Sequence, residues 1–194
     1  MNREAWLTEV ALQVAPLYNK FHLSKKPYRI TMGWPCRAGT SVRRRRIGEC
    51  HHSTSSSGGF CEIFISPVLD TPLKVAGTVC HELAHVAAGA DAGHGSWFTK
   101  VCKHVGLTHG KPTEVMPGAS LNKRLEGIIA KLPEYPHKAI TPVAKVRDVI
   151  QSSISLVCTS CGCKVRITLQ WLDQAGPPVC GCGGAMVDAK FNKE

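Results

Sequence analysis

The sequence predicts an α+β fold followed by a small β module, and three observations support this. In the first 118 residues a helical segment precedes three segments with strand alternation, and two further helical segments follow. This order is typical of helices packed against an antiparallel sheet. Five of the ten cysteines cluster between positions 158 and 182, which indicates a separate cysteine module. A chain of 194 residues, 43% of them hydrophobic, can bury one core and carry such an appendage.

The first helix and the three strands have clear patterns. Apolar side chains recur at helical spacing over residues 3–21, where Pro16 either kinks the helix or marks its end. Residues 28–34 alternate like a strand. Residues 45–52 and 60–66 predict two more strands, joined by a flexible serine- and glycine-rich stretch. We expect the three strands to form one antiparallel sheet.

Capping residues delimit the next two helices. Thr71 is the expected N-cap of a helix that has Pro72 at its first position and ends at Gly89. Ser96 is the expected N-cap of a second helix, which runs to about His104.

The domain boundaries follow from these elements. Residues 1–118 form the predicted main domain, and residues 119–154 form a helix and a proline-containing linker. In that linker "LNKRLEGIIAKL" could be helical, and "PEYPHKAITP" is broken by prolines. Residues 155–194 form the cysteine module, in which short β-like runs alternate with Cys-Gly turns.

Three histidines and one glutamate form the main candidate site. His81 and His85 are four residues apart, so both imidazoles project from one helix face and can bind a single metal ion, with Glu82 beside them. His94 lies between two glycines beyond the helix end and could reach the metal from another direction. Three neutral nitrogen donors and an open position for water describe a catalytic zinc site. The zinc-bound water would attack a carbonyl, with Glu82 as the general base.

Two other interpretations of this stretch stay open. His81 and His85 could be core residues and His94 a loop residue. In that case the HExxH pattern would have arisen by chance, and on a capped helix. A zinc ion that only holds the fold together would need four protein ligands, and the nearby sequence shows no obvious fourth.

The same stretch carries a family resemblance. "HELAHVAAGADAGHGSWF" resembles the signature of SprT-like metallopeptidases, relatives of the Spartan DNA–protein crosslink protease: HExxH, a variable gap, then GHGxxF. Upstream, "ITMGWP", "RRIGEC" and "EIFISP" are similar to strands of such proteins in bacteria and phages. The resemblance covers residues 25–110 and implies a zincin-like domain with three histidine ligands and a glutamate base. The matching positions are His81, Glu82, His85, Gly93, His94, Gly95 and Phe98.

One feature departs from the family pattern. Only seven residues separate His85 from the Gly-His-Gly, a shorter gap than in Spartan. Little room is left for extra substrate-binding elements, but the catalytic assignment is unaffected.

The C-terminal cysteines predict a second zinc site. "CTSCG" places Cys158 and Cys161 in a C-x-x-C knuckle, and "VCGCGG" places Cys180 and Cys182 one residue apart as its partner. Four thiolates around one zinc ion would be structural, in a module too small for its own core. Cys163 is the surplus thiol, and its pairing with Cys161 stays open. Such a module resembles the optional zinc ribbon of the SprT-like family.

The positive charge predicts a polyanionic partner. The formal net charge of +10 favours nucleic acid, although a charge that serves solubility is the competing interpretation. Trp171 could offer its ring to a base, or it could be the large core residue of the module. The candidate contacts are a run of arginines, which could also be a solvated loop, and two residues of the module: Arg43, Arg44, Arg45, Arg46, Lys164 and Arg166.

The other cysteines are scattered and are interpreted mostly as small buried hydrophobes. They are Cys36, Cys50, Cys61, Cys80 and Cys102. His51 and His52 follow Cys50, but in a flexible serine-rich neighbourhood, and we do not predict a third metal site there.

The leading functional hypothesis is a zinc-dependent endopeptidase that acts on protein substrates bound to DNA and is stimulated by DNA. It would hold one catalytic and one structural zinc ion. The second hypothesis is a zinc-stabilised DNA-binding or transcription-associated module without proteolytic activity. Glu82 favours the enzyme, because a purely structural site needs no general base. Hydrolysis of a small-molecule amide is a third option.

The predicted location is the cytoplasm. No stretch approaches the 18 apolar residues of a membrane span, and the first residues, "MNREAWLTEV", lack the apolar core of a signal peptide. We expect a monomer without membrane contact.

Overall fold

The computed structural model describes residues 1–36, 38–41, 45–111, 113, 116–142 and 153–190. The chain divides into two compact units, Met1–Ala144 and Lys145–Glu194. Each is a mixture of helices and small sheets. Among the described residues no helix is both long and apolar enough to cross a membrane.

The N-terminal α-helix ends just before Pro16, which is one of the two outcomes that the sequence left open. Helix α1 spans Arg3–Val14, and its N-cap Asn2 accepts a hydrogen bond from the N–H of Ala5 at 2.8 Å. A 3-10 helix over Ala15–Phe21 replaces the rest of the expected α-helix. Pro16 explains the change, because it lacks the N–H that an α-helix would use at this position.

A mixed three-stranded sheet replaces the predicted antiparallel one. The strand order is β1-β3-β2; β2 runs antiparallel to β3, but β1 runs parallel to it. The register places Ile30 beside Ile63 and Met32 beside Ile65, so the buried side chains of β1 and β3 share one face. The stretch between β1 and β3 contains β2 and exceeds the dozen or so residues that a parallel crossover needs. The strands are β1 (Tyr28–Met32), β2 (Gly48–His51) and β3 (Cys61–Ile65).

Two helices lie close to their predicted positions. Helix α2 spans Pro72–Ala88, between its N-cap Thr71 and its C-cap Gly89, although the Thr71 side chain makes no capping bond. Helix α3 spans Ser96–Val105. Its N-cap is Gly95, so the prediction that Ser96 caps this helix is wrong; the extended backbone of Gly95 places Ser96 in the first turn.

Residues 119–142 contribute to the core of the first unit. After the short strands β4 (Leu107–His109) and β5 (Met116–Pro117), helix α4 spans Ala119–Ile129. Leu121 and Leu125 of α4 are buried in the same apolar cluster as α1 and α2. Further along, the ring of Tyr135 lies 4.5 Å from that of Trp6. This segment therefore packs on the main unit through apolar side chains.

The second unit is a small antiparallel sheet with strand order β7-β6-β8. Its core consists of Leu156, Cys158 and Met186. The sequence did not predict its helix, α5, which the Thr168 hydroxyl caps by accepting the N–H of Trp171 at 3.2 Å. Trp171 is 60% exposed, so it is not the core residue of the module. The elements are β6 (Ser153–Cys158), β7 (Lys164–Thr168), α5 (Leu169–Ala175) and β8 (Met186–Asp188).

Candidate metal centres

The structure brings His81, His85 and His94 together. The rings of His81 and His85 project from α2 with their centroids 5.0 Å apart. The His94 ring lies 5.8 Å from that of His81 and 4.6 Å from that of His85. One nitrogen from each imidazole lies within 4.8 Å of the others. Three imidazole nitrogens gathered in this way are compatible with a single zinc ion and leave one tetrahedral position open.

The turn after α2 explains how His94 returns to the helix. Helix α2 ends at Ala88 with Gly89 as its C-cap, a 3-10 turn follows over Ala90–Ala92, and Gly93 adopts φ 46°. Glycine adopts this backbone conformation at little cost. The chain therefore reverses within a few residues and places the His94 ring near the two helix histidines.

The ring of Phe98, on α3, packs against all three imidazole rings. Its side chain is fully buried, and its ring stacks on His85 at 4.2 Å with an interplanar angle of 22°. It also lies 5.3 Å from the His81 ring and 5.1 Å from the His94 ring. The resemblance included Phe98 as a motif position, and the structure shows that it holds the rings in place by packing.

The environment keeps two of the three histidines, His85 and His94, in the neutral form that binds metal. Burial, together with the neighbouring His81 and His94, lowers the pKa of His85 to about 3. Burial and the charge of Arg46 also lower the pKa of His94. Both rings are therefore neutral near pH 7, as a metal-ligating imidazole must be.

Glu82 is 4% exposed and packs against strand β2. A Cβ atom at Gly48 would collide with Glu82 Oε1 and would lie 2.9 Å from Glu82 Cδ and 2.7 Å from Thr78 Cγ2. Sequence reasoning missed Gly48, because this contact joins residues that are distant along the chain. Burial raises the pKa of Glu82 to about 8, the nearby charge of Arg46 opposes the rise, and that of Glu49 adds to it.

The arginine run falls partly outside the described residues, which do not include Arg43 and Arg44. Arg45 Nε donates to the carbonyl of Ser41 at 3.0 Å. Arg46 Nη1 lies 2.5 Å from Glu49 Oε1, and about half of its side chain stays exposed. Arg46 is thus engaged beside the histidine site rather than in a purely solvated loop.

The C-terminal cysteines also converge. Cys158 Sγ lies 3.5 Å from Cys182 Sγ, and Cys161 Sγ lies 3.5 Å from Cys180 Sγ. The four thiols form a group whose sulfur atoms all lie within 4.8 Å of one another, and Cys163 is not part of it. Backbone N–H groups of Cys161 and Ser160 lower the pKa of Cys158 to about 6, which favours the thiolate that binds zinc.

The two basic residues of the module lie on strand β7. Lys164 and Arg166 are both exposed, and they are two residues apart, so they share one face of the strand. They are available to an anionic partner.

Comparison with known proteins identifies the family. The model of the SprT-like family matches residues 14–117, which is more than half of the chain, and the protein belongs to that family. The family is associated with zinc metallopeptidase-like function. The match includes the three histidines and Glu82 and ends before the cysteine module. No curated protein and no solved structure matches the chain.

Proposed function

We propose that this protein is a zinc-dependent peptidase with a zincin-like first unit. The observation that carries the proposal is the convergence of three imidazoles next to a buried carboxyl group, in a chain of the SprT-like family. His81, His85 and His94 would hold the ion, and the nitrogen-only donor set suits zinc. A purely structural zinc site needs no general base, so the presence of Glu82 favours the enzyme.

Each residue of the site has a separate task. Zinc would supply a Lewis acid that polarises the scissile carbonyl and lowers the pKa of water. Glu82 would accept the proton of the attacking water at its carboxylate and deliver it to the leaving amine. Phe98 would fix the orientation of the histidine rings. The carboxylate and the rings are thereby held before substrate arrives, which reduces the cost of organising the site during the reaction.

Strand β2 is the proposed binding edge for the substrate backbone. It is the outer strand of its sheet, and in the described part of the chain no strand pairs with its other edge. Its first residue, Gly48, lies against Glu82. An extended peptide that adds to this edge would place its carbonyl groups near the proposed catalytic residues. Backbone pairing of this kind suits peptides better than small amides.

Nucleic acid is the proposed second partner. Besides the net charge of +10, a surface cleft of the first unit carries a basic lining of Lys103, His104, Lys123 and Arg124. In the second unit, Lys164 and Arg166 share an exposed strand face with no acidic residue between them. Side chains of this type contact phosphates without reading sequence. We therefore propose that DNA brings the enzyme to DNA-bound protein substrates and stimulates cleavage.

The cysteine group is the proposed structural zinc site. Cys158, Cys161, Cys180 and Cys182 supply four thiolates, which close a tetrahedral site. Among the described residues of this unit the apolar core cluster consists of Leu156, Cys158 and Met186, so the ion would supply much of the folding free energy of the unit.

The test is a cleavage assay on a loosely folded DNA-binding protein. Wild type would be compared with chelated protein and with chelated protein returned to zinc, each with and without single-stranded DNA. We expect cleavage that is lost on chelation, restored by zinc and accelerated by DNA. Zinc-dependent cleavage that ignores DNA would remove the DNA part of the proposal. DNA binding without any cleavage would favour the non-proteolytic binding module.

A further inference from the structure

A third group of ligand-type side chains lies outside the two centres described above. Cys36 from the segment after β1 meets Glu49 and His51 of strand β2. Cys36 Sγ lies 3.7 Å from His51 Nε2, and Glu49 Oε2 lies 3.3 Å from the same nitrogen. All three ligand atoms lie within 4.8 Å of one another.

These separations match those around a tetrahedral zinc ion. With Zn–S near 2.3 Å and Zn–N or Zn–O near 2.0–2.1 Å, tetrahedral angles place a sulfur and a nitrogen about 3.5 Å apart and a nitrogen and an oxygen about 3.3 Å apart. The observed Cys36–His51 and Glu49–His51 distances are within 0.3 Å of these values. Little rearrangement would be needed to admit the ion.

Glu49 organises the group. Its side chain is 9% exposed, and Oε2 accepts the backbone N–H of Cys36 at 2.6 Å, which fixes the cysteine next to the strand. Arg46 engages the other oxygen, Oε1. A carboxylate has about four lone-pair sites, so Oε2 can accept the N–H and still bind a cation.

Strand alternation explains which residues take part. Glu49 and His51 are two apart on β2 and project from the same face. Cys50 lies between them on the opposite face, where its thiol contacts Cys61. The cysteine that completes the group is therefore Cys36, which is far from His51 in the sequence, and not the adjacent Cys50.

We propose that Cys36, Glu49 and His51 form a third binding site for zinc or a similar borderline-soft divalent cation, separate from the histidine triad and from the cysteine group. A thiolate, an imidazole and a carboxylate are the three ligand types that zinc accepts in proteins. Cys36 is exposed and 36% of the His51 side chain is exposed, so solvent can supply the fourth ligand. The ion would tie the segment after β1 to the edge strand of the sheet.

The test measures alkylation of Cys36 in the full chain. The protein would be treated with N-ethylmaleimide with and without added zinc, and the peptide that contains Cys36 would be quantified by mass spectrometry. Because a metal-bound thiolate is a poor nucleophile, we expect zinc to slow modification of Cys36 by about tenfold or more. An equal rate with and without zinc would overturn the proposal, whether or not the protein cleaves peptides.

Two variants assign the protection to this site. His51→Ala should abolish the effect of zinc on Cys36, and His52→Ala, which changes the next residue but none of the three ligands, should leave it intact. Native mass spectrometry of Cys36→Ser should count one zinc ion fewer than wild type. The same count in both proteins, or protection that survives His51→Ala, would contradict the site.

Discussion

Gly48→Ala should disable the proposed active site without removing its metal. A methyl group at this position collides with the Glu82 carboxylate and comes within 2.7 Å of Thr78 Cγ2. Glu82 lies on a helix interior and is 4% exposed, so it cannot swing freely away. The three atoms nearest to this methyl group belong to Glu82 and Thr78 and not to the histidines.

The size of the effect follows from the geometry. Inserting a methyl group into a packed region costs about 1–3 kcal/mol of stability. Displacing a catalytic group by roughly 1 Å can cost on the order of a hundredfold in rate. We therefore expect kcat to fall about a hundredfold while the protein stays folded and its zinc content is unchanged.

The assay combines peptide cleavage, zinc analysis and denaturant unfolding. Gly58→Ala is the matched control, because a Cβ atom there makes only ordinary contacts, at 3.5 Å with Phe60 Cδ2 and at 3.8 Å with Ser56 Oγ. It should retain full activity. Wild-type activity in Gly48→Ala would refute the claim that this contact positions Glu82. Loss of zinc in that variant would show that the contact acts on the histidines instead.

Three further outcomes test other parts of the structure. Phe98→Ala should destabilise the first unit by about 3–5 kcal/mol and weaken zinc binding, because the buried ring packs on all three imidazoles. Denaturant unfolding and chelator competition measure the two effects, and unchanged zinc affinity would contradict the supporting role of Phe98. Cys158→Ser should abolish the amide hydrogen-exchange protection of the second unit, whereas Cys163→Ser should preserve it, because Cys158 belongs to the group of four thiols and Cys163 does not. Equal protection in both variants would exclude a structural zinc ion bound through Cys158. In chelated protein the pKa of Glu82 is raised from 4.5 to about 8, so the folded state favours the protonated carboxyl group. The free energy of unfolding should therefore fall as the pH rises from 4.5 to about 8. Relative to Glu82→Gln, wild type should lose about 1.4 kcal/mol of unfolding free energy per pH unit in this range, and parallel curves would contradict the burial of the charge.

The sequence predicted the features that depend on residues close together along the chain. The α2 helix was predicted from Thr71, Pro72 and Gly89, and its observed bounds agree. The spacing of His81 and His85 predicted that both rings share a face, and their rings lie together. The cysteine knuckles likewise predicted which thiols would meet.

The sequence did not predict the features that depend on contacts between distant segments of the chain. The parallel pairing of β1 with β3 depends on a crossover, and strand alternation alone does not encode direction. Gly48 contacts Thr78 and Glu82 of α2, which lie 30 and 34 positions further along the sequence. Cys36 joins Glu49 and His51 only because the segment after β1 folds back onto β2. Helix α5 is a different case: it was missed because it spans only seven residues, although its Thr168 N-cap is a local feature of the sequence.

The most direct test of the central claim compares Glu82→Gln with wild type at equal zinc content. Glu62→Gln serves as the control, since Glu62 is a partly exposed carboxylate on the neighbouring strand β3. The proposed general base predicts peptide cleavage by wild type and Glu62→Gln, and a loss of about a hundredfold or more in Glu82→Gln. Cleavage by zinc-loaded Glu82→Gln at the wild-type rate would show that Glu82 is not the general base.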